Sequence, residues 1–210
     1  MRPWRRPWYY AEVDEPYSWI IGILAVLVAM AGVQAFRLST YTSVYSYVVG
    51  GVVIGMVVHE LMHRNVARRY GMRSSYVINW LGVIVTLVTA ILPIKLIAPG
   101  YTRVYSRGFE EDRRGILYSV AAGPMSNIVM ALAALIAGAL VRALVSSVFA
   151  ASFTSTWLIG FSNINSYLAF FNLLPIPPLD GYKIFRLSLE LWIIMFIVSI
   201  AFFAATLMLL

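Results

Sequence analysis

The chain has 210 residues, 61% of them hydrophobic and 12% charged, with a mean hydropathy of +0.81. Soluble domains are only about 45–50% apolar, so this composition excludes an ordinary soluble domain and points to one compact integral membrane domain. The absence of cysteine excludes disulfides and thiolate metal ligands, and the net charge of +7 fits basic loops on anionic cytoplasmic lipid better than nucleic-acid binding.

Residues 1–17 read as an N-terminal interfacial arm, with Trp4, Trp8, Tyr9 and Tyr10 suited to the headgroup layer. The arm carries basic residues with no apolar core directly behind them, which is not the pattern of a cleaved signal peptide. A single membrane-embedded domain, 18–210, follows. Its apolar segments lie at about 18–36, 44–66, 77–98, 116–146, 153–174 and 188–210. Backbone polar groups in lipid must be satisfied within the segment, so these are expected to be helical. The fold class is therefore an all-α polytopic membrane protein of about five to six transmembrane helices.

The basic residues choose between two topologies. If all six segments cross, the charges divide evenly between the two sides. If 77–98 dips in and returns, every Lys and Arg except Arg37 and Arg142 lies on the cytoplasmic side, as the positive-inside rule favours. That arrangement has five crossings, an inside N-terminus and an outside C-terminus. It makes about 77–105 a re-entrant element. Its second half, LPIKLIAPGYTRVY, is rich in β-formers, proline and glycine, and predicts a short strand or hairpin after a short helix.

Late in the second segment the chain reads His59-Glu60-Leu61-Met62-His63. Positions four apart share one helix face, about 6 Å apart along the axis, so two imidazoles so placed can grip one zinc ion. Glu60, beside the first histidine, is placed to act as a base for water. Ionisable groups inside a membrane span are costly and need a partner, and these are the only two histidines in the chain. Catalytic zinc commonly takes three protein ligands, so the third must be a carboxylate.

The acidic residues narrow the choice. Asp14, Glu15 and Glu12's place in the arm aside, residues 110–112 abut Arg113 and Arg114 and read as a solvated loop.

 Glu190 has a ready interfacial partner in Arg186, four residues earlier. Asp180, in FFNLLPIPPLDGYKIF, ends an apolar segment. The five-crossing topology puts it level with the histidines, whereas six crossings would put it about 30 Å away across the bilayer. Charge balance and ligand depth thus select the same topology, with His59, His63 and Asp180 as metal ligands and Glu190 as the weaker candidate. Pro175, Pro177 and Pro178 break the helix before Asp180, and Gly181 is expected to permit an unusual backbone angle beside it.

Three stretches, HELMH at 59–63, NLLPIPPLDG at 172–181 and AAGPMSN at 121–127, make the chain resemble the site-2 proteases, intramembrane zinc metalloproteases. The resemblance covers about 44–186, with the motifs in the family's order and spacing. It implies a metalloprotease domain at 18–210 in the cell membrane, with the N-terminus and active site toward the cytoplasm and one zinc ion per chain. It implies zinc on His59, His63 and Asp180, and water activation by Glu60. It also implies a catalytic role for Asn172 in holding the substrate or stabilising the oxyanion, and packing near the site by Gly123, Pro124 and Asn127. The implied partners are the bilayer and a transmembrane protein substrate, which must unwind and could pair with a strand edge in the re-entrant element. No PDZ-like or CBS-like insertion is visible, so a minimal member is expected. The region ending IAPGYTRV lacks the paired glycines common in relatives. Asn163 and Asn165, midway along a span, read as interhelical hydrogen-bond formers. The competing readings are a metallopeptidase of another fold using Glu190, a zinc carrier, and a proteolytically silent zinc-binding scaffold. A carrier needs sites along a path, and a scaffold has no use for Glu60.

Overall fold

The structure, a computed structural model, describes residues 13–31, 42–92, 96–106 and 108–209. The elements in order are α1 (Glu15–Ala31), α2 (Thr42–Arg69), β1 (Arg73–Ile78), α3 (Trp80–Val88), β2 (Gly100–Tyr105), α4 (Phe109–Leu144), α5 (Val148–Asn172), α6 (Asp180–Leu187) and α7 (Leu189–Leu209). Residues 1–12 of the expected arm lie outside the described residues, and Glu15–Tyr17 form the first turn of α1.

Among the described residues, three helical stretches are long and apolar enough to cross a membrane: Ser46–Arg69, Asp112–Leu144 and Leu189–Leu209. Five to six were expected. Helix α1 has 17 residues, a little short of the ~20 that a bilayer core requires. Helix α5 is long enough but carries Ser152, Thr154, Ser155, Thr156, Ser162, Asn163, Asn165 and Ser166, which dilute its apolar character.

Helices α2, α4 and α5 pack on one another, α7 packs on α5 and α6, and α1 packs on α2 and β1. One apolar cluster joins Val26 of α1, Val52 and Met56 of α2, Tyr76 of β1, Ile97 and Leu168 of α5. A second joins Ala121 and Ile128 of α4, Ala169 of α5, Leu173, Ile184 of α6 and Met195 of α7.

The segment expected to be re-entrant is enclosed by a two-stranded hairpin. Strands β1 and β2 pair antiparallel, Arg73 opposite Tyr105 and Ile78 opposite Gly100, so the chain leaves and re-enters at one end of the hairpin. Between them α3 spans nine residues, capped by Asn79, whose side chain accepts from the Gly82 N–H. A Cβ at Gly82 would overlap the Ala98 carbonyl, so glycine lets the returning chain close on the helix. The Thr86 and Thr89 hydroxyls accept from the backbone N–H groups of Ala98 and Leu96, each at 3.1 Å. The expected strand after a short helix is therefore present as β2. Its partner β1 begins earlier, at Arg73, and shows the alternating burial of a strand: Ser74, Tyr76 and Ile78 face inward.

Two local expectations are corrected. Residues 110–112 are not a solvated loop: they lie in the first turns of α4, and Asp112 is buried. Gly181 has no unusual backbone angle, since Gly71 alone among the described residues has a positive φ. Glycine is required at 181 because a Cβ there would overlap the Leu173 carbonyl, where α6 folds back on the end of α5. The break itself follows the prolines: α5 stops at Asn172 and α6 starts at Asp180.

Candidate metal centre

His59 and His63 lie on the inward face of α2, four residues apart, and both are buried. Asp180, at the first position of α6, reaches the same point from the other side. Asp180 Oδ2 lies 3.2 Å from His59 Nε2 and 2.9 Å from His63 Nε2, and the two Nε2 atoms are 3.0 Å apart.

The remaining ring nitrogens decide the tautomers. His63 Nδ1 donates to the Ser119 carbonyl at 2.7 Å. His59 Nδ1 donates to Asn127 Oδ1 at 2.6 Å, an oxygen fixed as acceptor because Asn127 Nδ2 donates to Gly55 O and Asn165 Oδ1. With both Nδ1 atoms committed as donors, each neutral ring presents an Nε2 lone pair. Two lone pairs and a carboxylate oxygen then converge within about the 3.3 Å that separates tetrahedral ligands held 2.0–2.1 Å from a metal. Three acceptors at that separation repel one another in a buried site unless a cation lies between them. The donor set, two imidazoles and one carboxylate, suits zinc.

Helix α4 makes room for this group. A Cβ on Gly123 would overlap both Nε2 atoms, so glycine is needed where α4 crosses the histidines. Pro124, fully buried at the next position, cannot donate to the carbonyl one turn back, and the α4 ladder is interrupted beside the site. The other oxygen of Asp180 accepts from Lys183 Nζ at 3.0 Å. Burial works against the charge on Lys183, but Asp180 more than offsets it and holds the ammonium above its usual range.

A cleft of about 400 Å³ opens beside the three residues. Glu60 and Asn172 line it, as do Tyr76, Tyr101 and Thr102 of the hairpin. Glu60 is half-buried, and its Oε2 accepts from the Thr102 hydroxyl at 2.7 Å. Asn172 Nδ2 donates one hydrogen to Leu168 O at 3.0 Å, and its second N–H is not used by that bond.

All five expected site residues thus come together, while Glu190 lies exposed in the first turn of α7. Arg186, its expected partner, donates instead to the Tyr182 hydroxyl at 3.3 Å. Asn165 and Asn163 do bond across helices, Asn165 with Asn127 and Asn163 with Thr206 at 3.0 Å. Sequence reasoning missed Ser119, Thr102 and Lys183. Ser119 meets His63 twice, its carbonyl accepting from Nδ1 and its hydroxyl donating to the His63 carbonyl at 2.9 Å, and a lone serine in an apolar run does not announce either bond. Lys183, three residues after Asp180 on a helix, was legible as an ion-pair partner.

Two curated relatives are similar to this chain. "Putative zinc metalloprotease MJ0611" of Methanocaldococcus jannaschii is 31% identical over 134 residues, covering 62% of this chain and 64% of its own length. "Putative zinc metalloprotease YwhC" of Bacillus subtilis is 39% identical over 88 residues, covering 39% of this chain and 38% of its own. This chain therefore spans less than two thirds of either relative. No family profile and no solved structure matches it.

Proposed function

We propose that the chain is an intramembrane zinc metalloprotease of the site-2 protease type, cutting peptide bonds within or near transmembrane segments of protein substrates. The observation that carries this reading is the convergence of His59 Nε2, His63 Nε2 and Asp180 Oδ2 within 3.2 Å, beside a cleft lined by Glu60. The names of the two similar proteins support the zinc-protease part of it.

His59, His63 and Asp180 would hold one zinc ion, with Asn127, Ser119 and Lys183 orienting them. Zinc, when bound, polarises a scissile carbonyl and lowers the pKa of water toward about 7. Glu60 takes the proton from the attacking water at a carboxylate oxygen and delivers it to the leaving amine. Thr102 occupies Oε2, so Oε1 is the free oxygen for that transfer. Asn172 presents its spare N–H to the substrate carbonyl.

In this reading α1, α2, α4, α5 and α7 cross the cell membrane, and β1, α3 and β2 form the re-entrant element. The N-terminus and the site face the cytoplasm, whose water reaches Glu60 through the cleft. The test is cleavage of a single-span substrate by purified protein in detergent, wild type beside Glu60→Gln, with zinc measured on both. Cleavage by the wild type alone, with zinc in both, supports the reading. Zinc in both without cleavage favours the silent scaffold or the carrier. Neither protein holding zinc overturns it.

A further inference from the structure

We propose that Thr102 is a positioning residue: from strand β2 it holds the Glu60 carboxylate in its working orientation, so that the re-entrant hairpin sets the geometry of the base. This rests on Glu60 being the base, as proposed above.

Glu60 belongs to α2, but its carboxylate is bonded from outside that helix, by a residue of β2. Thr102 Oγ1 lies 2.7 Å from Glu60 Oε2 and 3.1 Å from the Glu60 carbonyl oxygen. Both acceptors belong to one residue, so the single hydroxyl proton, directed at the nearer Oε2, stays on Glu60 even where it is shared with the backbone carbonyl. The shorter contact has the length of a well-formed hydroxyl–oxygen bond, and such a bond is stronger when its acceptor is an ionised carboxylate. A glutamate side chain has three rotatable bonds and otherwise samples several rotamers.

The donor is itself held. Thr102 pairs with Tyr76 in the β1–β2 register, and Tyr76 is buried and stacked on Trp19 of α1 with ring centroids 4.2 Å apart. The backbone N–H of Tyr76 donates to Glu15 Oε1 at 3.2 Å, and the same oxygen takes a 3.0 Å bond from Arg64 of α2. Helices α1 and α2 thus clamp the strand that carries Thr102. Tyr101 and Val104 of β2 line the cleft beside it, so anything docking along that strand meets the residue that orients the base.

Thr102→Val keeps the branched shape and strand preference but removes the donor, and Thr102→Ser keeps the donor. Both are purified in detergent beside wild type and Glu60→Gln, with zinc content, kcat and KM measured on a single-span substrate. The Glu60 carboxylate stretch is followed by infrared difference spectroscopy against Glu60→Gln. A hydrogen bond to a charged group is expected to be worth roughly a ten- to hundredfold change in rate. Thr102→Val should therefore lose roughly ten- to hundredfold in kcat, with KM and zinc content close to wild type and the carboxylate band shifted. Thr102→Ser should restore both rate and band. Wild-type rates in Thr102→Val, or a Ser variant no better than Val, would overturn the inference and leave the protease reading standing. An inert, zinc-loaded wild type would overturn the protease reading and this inference with it. A Val variant that loses zinc as well as activity makes Thr102 structural, which also overturns the positioning role.

Discussion

The two faces of α5 are built from different chemistry. Toward α2 and α4 it presents Asn165, Ser162 and Ser166, all buried and each hydrogen-bonded: Asn165 accepts from Asn127, and Ser162 donates to the Ala131 carbonyl at 2.7 Å. Toward α7 it presents rings. Phe170 stacks on Phe203 and Phe196 with centroids 5.9 and 5.8 Å apart, and Tyr167 meets Phe203 at 5.7 Å. A polar pair, Asn163–Thr206, also crosses that second seam. The first seam is directional. Ser162 and Ser166 tie down backbone carbonyls, and the pair Asn165–Asn127 carries the bonding on to His59 Nδ1. The second relies on packing, which tolerates exchange of one apolar shape for another.

Substitutions across the two seams should therefore separate metal binding from stability. The largest effect is expected at Gly123. Gly123→Ala puts a methyl group where the two Nε2 atoms lie, and should abolish stoichiometric zinc, measured by elemental analysis, while circular dichroism still reports a helical protein. Asn127→Ala comes next. It leaves His59 Nδ1–H and Asn165 without their partner. It should cost about 1–3 kcal/mol in unfolding stability and lower zinc affinity ten- to hundredfold, read by chelator competition. Lys183→Met removes the support of the second Asp180 oxygen. A roughly tenfold loss of zinc affinity with little change in unfolding is expected, since the Lys183 side chain is only partly buried, 45% exposed. On the aromatic seam, Phe203→Leu should cost less than about 1.5 kcal/mol and leave zinc affinity unchanged in the same competition assay. Asn163→Val should cost least, about 0.6 kcal/mol. A zinc-affinity loss from Phe203→Leu as large as that from Asn127→Ala would erase the distinction between the seams.

The ligand set was legible because its grammar is local or exclusionary. His59 and His63 share a helix face by spacing alone, and Asp180 was the carboxylate left at the right depth. The proline-broken stretch before Asp180 and the returning strand β2 were legible for a related reason, since proline and β-branched residues act on the backbone where they stand. The burial of Asp112 was not legible, because a run of three acids and two arginines reads as solvated whatever packs over it. Strand β1 was missed because Arg-Ser-Ser opens it, and its alternation becomes visible only against α1 and α2. The role of Gly181 was misread as conformational when it is steric.

By itself, then, the sequence determined the helical segments, the pair of histidines with their glutamate, and the candidate third ligand. Each of these rests on periodicity or on the cost of ionisable groups in an apolar run. Only the tertiary structure decided which nitrogen of each histidine faces the centre, through Asn127 and the Ser119 carbonyl. It alone brought Thr102 to Glu60 and Gly123 to the ligand atoms. Those contacts join residues 42 to 68 positions apart, and their partners are hydroxyls, carbonyls and an absent side chain. Such groups occur throughout any chain, and they acquire a role only when packing delivers them to within about 3 Å of a particular atom.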